Sequence, residues 1–272
     1  MSDKPAILLI PGAFAPPEHY DAVVNAVVAQ GHSIRALHLP TVGYKSGVKV
    51  PPCMEDDAAF IASEVAELAD QGRDVVLLAH SYGGIPATQS TKGLGKAERQ
   101  AQGMKGGIVR LAYMNCLVLP LGTSDPSVLM ASDAPAKGQI VELKADDDGW
   151  LHHSDISLSA ALGFSDLPRE EGEMWARKLT RHSASAFPSE LTHAGYRDIP
   201  VSWLLSEDDL CIPATLQRAS MAMVERESGH RIDVTSIKAG HCPFISKPSL
   251  VTDWVLDIVA KVQSTQSSAT VV

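Results

Sequence analysis

The sequence predicts an α/β fold, a mostly parallel sheet of about six strands with helices on both faces. Two observations predict it. Short apolar runs of strand length recur along the 272 residues, and segments with apolar residues at helical spacing separate them. In sheets of this kind, ligands bind beyond the carboxyl ends of the strands, so the residues that follow each strand are the first candidates for a site.

The strand candidates are residues 6–10, 34–39, 75–79, 108–114, 201–205 and 232–237. Helical segments are predicted at 20–29, 56–70, after residue 81, at 212–223 and at 249–262. Within 56–70, for example, Ile61, Val65 and Leu68 lie on one helical face, as burial of an amphipathic helix requires.

One region interrupts the alternation of strands and helices. Residues 121–190 are rich in Ser, Asp, Gly, Pro and Ala and carry little strand signal, with short helices predicted near 156–162 and 168–181. A segment of this length is too long for an ordinary loop. We therefore predict a core formed by residues 1–120 and 191–272, and a mainly helical cap insertion, residues 121–190, over the active site.

Charge and cysteine content restrict the partners. The net charge of −9 argues against nucleic acid and against stable association with anionic membranes. The four cysteines are scattered without a Cys-x-x-Cys motif, which disfavours zinc and disulfides and favours a reducing cytoplasmic location. We expect a small-molecule substrate, and the sequence allows a homodimer without requiring one.

Three sets of polar residues follow predicted strands. Ser81 lies between an apolar run and two glycines, the acidic cluster Glu207-Asp208-Asp209 follows the run at 201–205, and His241 follows the run at 232–237. A serine hydroxyl needs a base within hydrogen-bond reach, and the base needs an acid to hold its tautomer. The order nucleophile, acid, histidine thus predicts a serine enzyme.

These motifs resemble the α/β-hydrolase family over nearly the whole chain. The sequence Ala79-His80-Ser81-Tyr82-Gly83 is similar to the Gly-x-Ser-x-Gly nucleophile elbow, with alanine replacing the first glycine. Residues 9–14 (LIPGAF), 207–213 (EDDLCIP) and 239–244 (AGHCPF) resemble the capped serine-hydrolase branch that includes methylesterases and hydroxynitrile-lyase-like proteins.

The resemblance implies a role for each matching residue. Ser81 is the expected nucleophile, His241 the general base and Asp209 the acid, with Asp208 as the alternative acid. The backbone N–H groups of Tyr82 and Ala13 are the expected oxyanion hole, with Phe14 as the alternative to Ala13. His80 is expected to be structural, since adjacent side chains on a strand point to opposite faces.

Other candidates rest on weaker patterns. Aromatic residues that could bind substrate are Phe14, Trp150, Phe164 and Trp175, together with Tyr82 and Phe187, although aromatic residues are also ordinary core residues. The pair His152-His153 lacks a third ligand at suitable spacing, and we predict no metal. A dinucleotide or phosphate loop is missing from the sequence, so we expect no cofactor.

The function predicted is cofactor-independent hydrolysis of a small or medium apolar carboxylic ester or lactone. Two alternatives stay open. A lyase or carbon–carbon bond hydrolase can use the same three residues, and a lysine reaching the pocket, such as Lys137, Lys144 or Lys178, would favour cyanohydrin cleavage. The second alternative is a non-catalytic ligand-binding protein, which an intact serine, histidine and acid set disfavours.

Overall fold

The computed structural model describes residues 4–44, 47, 50–124 and 141–269. Its strands are β1 (Ala6–Ile10), β2 (Ser33–Ala36), β3 (Asp74–His80), β4 (Gly107–Met114), β5 (Leu143–Ala145), β6 (Trp150–His153), β7 (His182–Ser183), β8 (Val201–Ser206) and β9 (Asp233–Ile237). Its α-helices are α1 (Asp21–Ala29), α2 (Met54–Asp70), α3 (Gly84–Gln89), α4 (Lys96–Ala101), α5 (Ile156–Gly163), α6 (Arg169–Ala176), α7 (Ala214–Ser228), α8 (Pro243–Ser246) and α9 (Pro248–Ala269).

Six strands form the central sheet in the order β2-β1-β3-β4-β8-β9, and every neighbouring pair is parallel. The α/β fold class is therefore confirmed, and each predicted strand overlaps one strand of this sheet. Strand β2 ends earlier than predicted, at Ala36. The backbone N–H of Leu37 still bonds to the Leu9 carbonyl at 2.8 Å, after which the chain leaves the sheet edge.

The apolar core lies on both faces of the central sheet. Along β1, Leu8 and Ile10 pack into one cluster with α2, whereas Ile7 and Leu9 pack into a second cluster with α1 and α9. This alternation follows from the period of two in a strand, and burial on both faces explains why β1 and residues 75–79 of β3 are apolar without interruption. Burial on both faces fixes the strand register and thereby the strand ends that carry the polar residues.

The region between β4 and β8 contains more strand than the sequence indicated. Helices α5 and α6 match the two predicted short helices, but β5, β6 and β7 form an antiparallel sheet of their own. We call this sheet, with α5 and α6, the cap. These strands have two to four residues and carry little pattern of their own; β5 and β6 pair across a short turn, whereas β7 pairs with β6 from beyond α5 and α6.

Backbone hydrogen bonds connect the cap to the loop that follows β2. The Ser183 N–H donates to the Thr41 carbonyl at 2.9 Å, and the Gly43 N–H donates to the Arg181 carbonyl at 2.8 Å. Within the described ranges, no helix is both long and apolar enough to cross a bilayer.

Candidate active site

Ser81 lies on a sharp turn between β3 and α3. Its φ of 54° is in the left-handed region, which few residues other than glycine adopt. The turn requires two close approaches of the backbone: a Cβ at Gly83 would lie 2.5 Å from the Pro11 carbonyl oxygen, and one at Gly84 would lie 2.5 Å from that of Leu117. The two glycines thus permit the strained geometry that projects Ser81 from the sheet end.

Ser81, His241 and Asp209 come from the ends of three different strands and form one hydrogen-bonded chain. His241 Nε2 lies 3.0 Å from Ser81 Oγ, and His241 Nδ1 lies 2.9 Å from Asp209 Oδ2. An ionised carboxylate only accepts hydrogen bonds, so Nδ1 carries the ring proton. The Nε2 lone pair then faces the serine hydroxyl, which is the arrangement required to remove its proton.

The carboxylate of Asp209 is fully buried and surrounded by donors. Its Oδ1 accepts from the backbone N–H groups of Cys211 at 2.8 Å and Ile212 at 2.9 Å, and its Oδ2 accepts from Gln217 Nε2 at 3.1 Å. These bonds stabilise a buried negative charge. Asp208 is exposed, and it is Asp209 that contacts His241.

His80 links three parts of the site. The Gly12 N–H donates to Tyr20 Oη at 2.9 Å, Tyr20 Oη lies 2.9 Å from His80 Nδ1, and His80 Nε2 lies 3.0 Å from the His241 carbonyl oxygen. Since that carbonyl can only accept, Nε2 carries the proton and the Tyr20 hydroxyl donates to Nδ1. Burial lowers the pKa of His80 well below its usual value, which keeps the ring neutral.

Asn115 fixes the loop that carries His241. Its Nδ2 lies 3.0 Å from the His241 carbonyl oxygen, 3.2 Å from that of Gly240 and 2.9 Å from Ser206 Oγ, and its Oδ1 accepts from the Ser206 N–H at 3.0 Å. The sequence predicted no role for Asn115 or for Tyr20. The available signal for Asn115 is its place directly after β4, at the carboxyl end of a strand.

The loop after β1 places Ala13 close to the elbow. A Cβ at Gly12 would lie 3.1 Å from Ser81 Cβ, so the two segments are in direct contact. Among the described residues, no hydrogen-bond acceptor faces the Ala13 N–H. The Phe14 N–H likewise has no acceptor among these residues, so both amides stay candidates for the oxyanion hole.

Tyr82 is held by a buried carboxylate that the sequence analysis missed. Its hydroxyl donates to Asp57 Oδ2 at 2.8 Å, and Asp57 also accepts from the Thr41 hydroxyl at 2.6 Å and the Thr41 N–H at 3.0 Å. Burial raises the pKa of Asp57 to about 6, although these hydrogen bonds oppose the shift. Asp57 therefore fixes the residue whose N–H we expect in the oxyanion hole.

A family model for the alpha/beta hydrolase family matches residues 7–254. This chain belongs to the alpha/beta hydrolase family. The elbow, the strand order and the Ser81–His241–Asp209 geometry described above are consistent with this membership. Alanine replaces the first elbow glycine without disruption, because the Ala79 side chain packs in the core and is only 1% exposed.

Two curated relatives named as hydrolases match the chain over nearly their whole length. The chain is 29% identical over 255 residues to the probable hydrolase R7 of Phoma sp., covering 94% of this chain and 98% of the relative. It is 30% identical over 253 residues to the alpha/beta hydrolase nvfD of Aspergillus novofumigatus, covering 91% and 94%. A crystal structure of a pyrethroid hydrolase from Sphingobium faniae superposes with a TM-score of 0.70 at 19% identity, covering 94% and 97%. The chain is thus an enzyme of the hydrolase class.

The predicted substrate-binding aromatics of this hydrolase lie in different places. Phe14 is buried between two cap histidines, His153 and His182. Trp150 is fully buried, and its ring lies 6.0 Å from that of Tyr44. The structure places the ring of Phe164 in the core cluster with α1 and α9, and Trp175 packs against the same cluster.

Of the three lysines predicted for a lyase, the two that the structure describes have their contacts away from Ser81 and His241. Lys144 is exposed beside Glu142, and the Lys178 ammonium lies 4.1 Å from the ring centroid of Trp175. Lys137 lies outside the described residues. Neither described lysine therefore supports the lyase alternative.

Asp209, Cys211 and His241 each place one ligand atom within 4.8 Å of the others, a spacing that could suit a metal. The residues fit a metal poorly. Asp209 and His241 already bond to each other, and burial raises the pKa of the Cys211 thiol far above its usual range. Because the thiolate is the form that binds metals, we assign no metal to this cluster.

Two clefts lie away from Ser81. A cleft of about 990 Å³ is lined by residues such as Lys96, Arg110 and Ile199, at the amino-terminal end of β4. A smaller one of about 460 Å³ contains His19, Trp175 and Phe244. Because ligands bind at the carboxyl ends of parallel strands, the larger cleft is at the wrong end of the sheet for a site built around Ser81.

Proposed function

We propose that the enzyme hydrolyses carboxylic esters or lactones of small or medium size through Ser81, His241 and Asp209. The observation that carries the proposal is the pair of contacts made by the His241 ring, 3.0 Å to Ser81 Oγ and 2.9 Å to Asp209 Oδ2. A pyrethroid hydrolase among the proteins of this fold supports a substrate with an apolar body.

Each step uses a group with a defined position. Ser81 Oγ attacks the carbonyl carbon while His241 Nε2 takes its proton, and Asp209 stabilises the imidazolium that forms. The N–H groups of Tyr82 and Ala13 bind the developing oxyanion. His241 then donates its proton to the leaving alcohol, which departs and leaves an acyl group on Ser81.

The second half of the reaction repeats the first with water as the nucleophile. His241 removes a proton from water, the hydroxide attacks the acyl group, and the acid product leaves as Ser81 regains its proton. For a lactone the alcohol stays attached to the acyl group, and the product is a hydroxy acid.

The decisive experiment replaces Ser81. Ser81→Ala should lower turnover of p-nitrophenyl butyrate by at least about 10⁴-fold, with an unchanged melting temperature. Ser63→Ala, which alters an exposed serine on α2, is the matched control and should keep full activity. A fluorophosphonate probe should label the parent enzyme but not Ser81→Ala. Retained turnover or retained labelling in Ser81→Ala would overturn the proposal.

A further inference from the structure

Two cap histidines, His153 and His182, contact the ring of Phe14. His182 pairs with Leu151 across the cap sheet, and His153 lies two residues further along β6, so both histidines are on one face. Their ring centroids lie 4.5 Å and 5.3 Å from that of Phe14. Phe14 directly follows Ala13, so both imidazoles lie next to the loop that we expect to bind the oxyanion.

The hydrogen bonds of Ser159 determine the tautomer of His153. Ser159 Oγ donates its only proton to the Asp155 carbonyl oxygen at 2.7 Å, and it also lies 2.7 Å from His153 Nδ1. With the Ser159 proton on the Asp155 carbonyl oxygen, the Ser159 hydroxyl accepts from His153 and Nδ1 carries the ring proton. The Nε2 of His153 is left as an acceptor, and it has no hydrogen-bond partner within the described part of the chain.

His182 is fully buried, and neither of its ring nitrogens has a partner among the described residues. A buried polar group without a partner destabilises a fold by about 1–3 kcal/mol, and a neutral imidazole offers one donor and one acceptor. The rings around it are Phe14, Tyr82 at 4.8 Å and Phe187 at 5.1 Å between centroids. A buried polar ring without a partner among the described residues, in contact with the rings of Phe14 and Tyr82, indicates a place for a polar group of a ligand.

We propose that His153 and His182 form a subsite for a hydroxyl group of the substrate, with Phe14 packing against the adjoining carbon skeleton. This inference rests on the proposed function and adds a substrate class to it: a hydroxylated ester or lactone.

The chemistry of the two rings selects a hydroxyl group. His153 Nε2 needs a donor, which a keto or ether oxygen cannot supply. Burial lowers the pKa of His153 to about 4 and that of His182 to about 3, so both rings are neutral at physiological pH. Neutral rings give no charge to balance a carboxylate or phosphate, whereas a hydroxyl donates to one ring and accepts from the other.

Phe187 is 39% exposed, and its ring contacts both His182 and Tyr82. Because His182 is fully buried, the proposed subsite requires a neighbouring side chain such as Phe187 to rotate before a ligand can reach it. His153 is half-buried and needs no such movement.

The test measures selectivity for a hydroxyl group, as a ratio of kcat/KM values. One substrate pair is p-nitrophenyl 3-hydroxybutyrate and p-nitrophenyl butyrate, and the other is 3-hydroxybutyl butyrate and butyl butyrate. The two pairs place the hydroxyl in the acyl part and in the alcohol part. The parent enzyme should prefer the hydroxylated member of one pair by about 10-fold or more, as expected for the two hydrogen bonds that a hydroxyl would form with the two rings.

Substitutions of His153 separate recognition from structure. His153→Leu should remove the preference, because kcat/KM falls more for the hydroxylated ester than for the unsubstituted one. His153→Gln should restore part of the preference through its carbonyl acceptor. Ser159→Ala removes the hydroxyl that holds the proton on His153 Nδ1. It should therefore lower the preference for the hydroxylated substrate while His153 itself is unchanged. His152→Leu, on the opposite face of β6, is the matched control and should keep the preference unchanged.

Two results would overturn the inference but not the proposed function. One is a kcat/KM ratio within twofold for both substrate pairs, in an enzyme that Ser81→Ala inactivates. The other is an equal loss of kcat/KM on both members of a pair in His153→Leu and in Ser159→Ala. If the parent enzyme cleaves none of these esters, the proposed function fails and the inference fails with it.

Discussion

Thr180 donates two hydrogen bonds to the carbonyl oxygen of Phe14, one from its backbone N–H at 2.8 Å and one from its hydroxyl at 3.1 Å. Phe14 has a φ of 63°, in the left-handed region that residues with a side chain rarely adopt. The segment between α6 and β7 therefore supports a strained conformation in the loop that carries Ala13. Strain of this kind persists only where the surroundings hold it.

Removing the Thr180 hydroxyl should weaken the support of the loop that carries Ala13, while the catalytic side chains stay unchanged. Thr180→Val deletes one hydrogen bond to Phe14 and keeps the volume, and we expect a loss of about 0.5–1.5 kcal/mol, or about 2- to 10-fold, in kcat with little change in KM. Steady-state kinetics on p-nitrophenyl butyrate provide the measurement. Thr180→Ser retains the hydroxyl and should keep most of the activity; an equal loss in both variants would contradict the explanation.

Exchanging the two neighbouring aspartates for asparagine should separate their roles. Asp209→Asn preserves the shape of the side chain but removes the charge that holds His241 Nδ1–H, and we expect kcat to fall by about 10³- to 10⁴-fold. Asp208→Asn alters an exposed side chain and should change kcat by less than about twofold. A larger effect of Asp208→Asn would show that the acid was assigned to the wrong residue.

The sequence predicted the strands and the order of the polar residues because both depend on local patterns. Apolar runs such as β1 and β3 are buried on both faces, and this makes them recognisable without any knowledge of their partners. Ser81, Asp209 and His241 follow such strands, so their approach to one another follows from the parallel topology.

The supporting contacts could not be predicted in this way. Tyr20 and His80 are 60 residues apart, and His80 and the His241 carbonyl are 161 residues apart, so no local spacing signals these bonds. The cap strands were missed for a related reason. A two-residue strand such as β7 has almost no pattern of its own and forms only because β6 and the loop after β2 provide partners.

The buried carboxyl of Asp57 should make stability depend on pH. Burial raises its pKa from 3.8 to about 6 in the folded state. Between about pH 4 and pH 6 the folded protein keeps a proton on Asp57 that the unfolded chain releases. The contribution of Asp57 to the free energy of unfolding therefore decreases as pH rises. A shift of this size corresponds to about 2–3 kcal/mol.

Asp57→Asn removes this titration and provides the test. The free energy of unfolding, measured with urea at pH 4.5 and at pH 7.5, should decrease by about 2 kcal/mol less in the variant than in the parent. The side-chain amide can still bond to Thr41 and Tyr82, so the variant should fold. An identical pH dependence in parent and variant would show that Asp57 does not titrate in this range.

Two glycines that differ in their surroundings test the packing of the elbow. A Cβ at Gly83 would lie 2.5 Å from the Pro11 carbonyl oxygen and 2.7 Å from that of Ile10, and backbone atoms cannot move aside as a flexible side chain can. Gly83→Ala should therefore displace the β1 loop, lowering the free energy of unfolding by more than about 2 kcal/mol and reducing kcat through the Ala13 amide.

Gly163→Ala is the matched control. No described atom lies within 4 Å of its added Cβ, and Gly163 ends helix α5 without a positive φ. Alanine there restricts the unfolded chain and should raise the free energy of unfolding by about 0.4–1 kcal/mol. Urea denaturation of both variants should thus give shifts of opposite sign. If both are destabilised alike, the close contact between the elbow and the β1 loop is not what requires glycine at position 83.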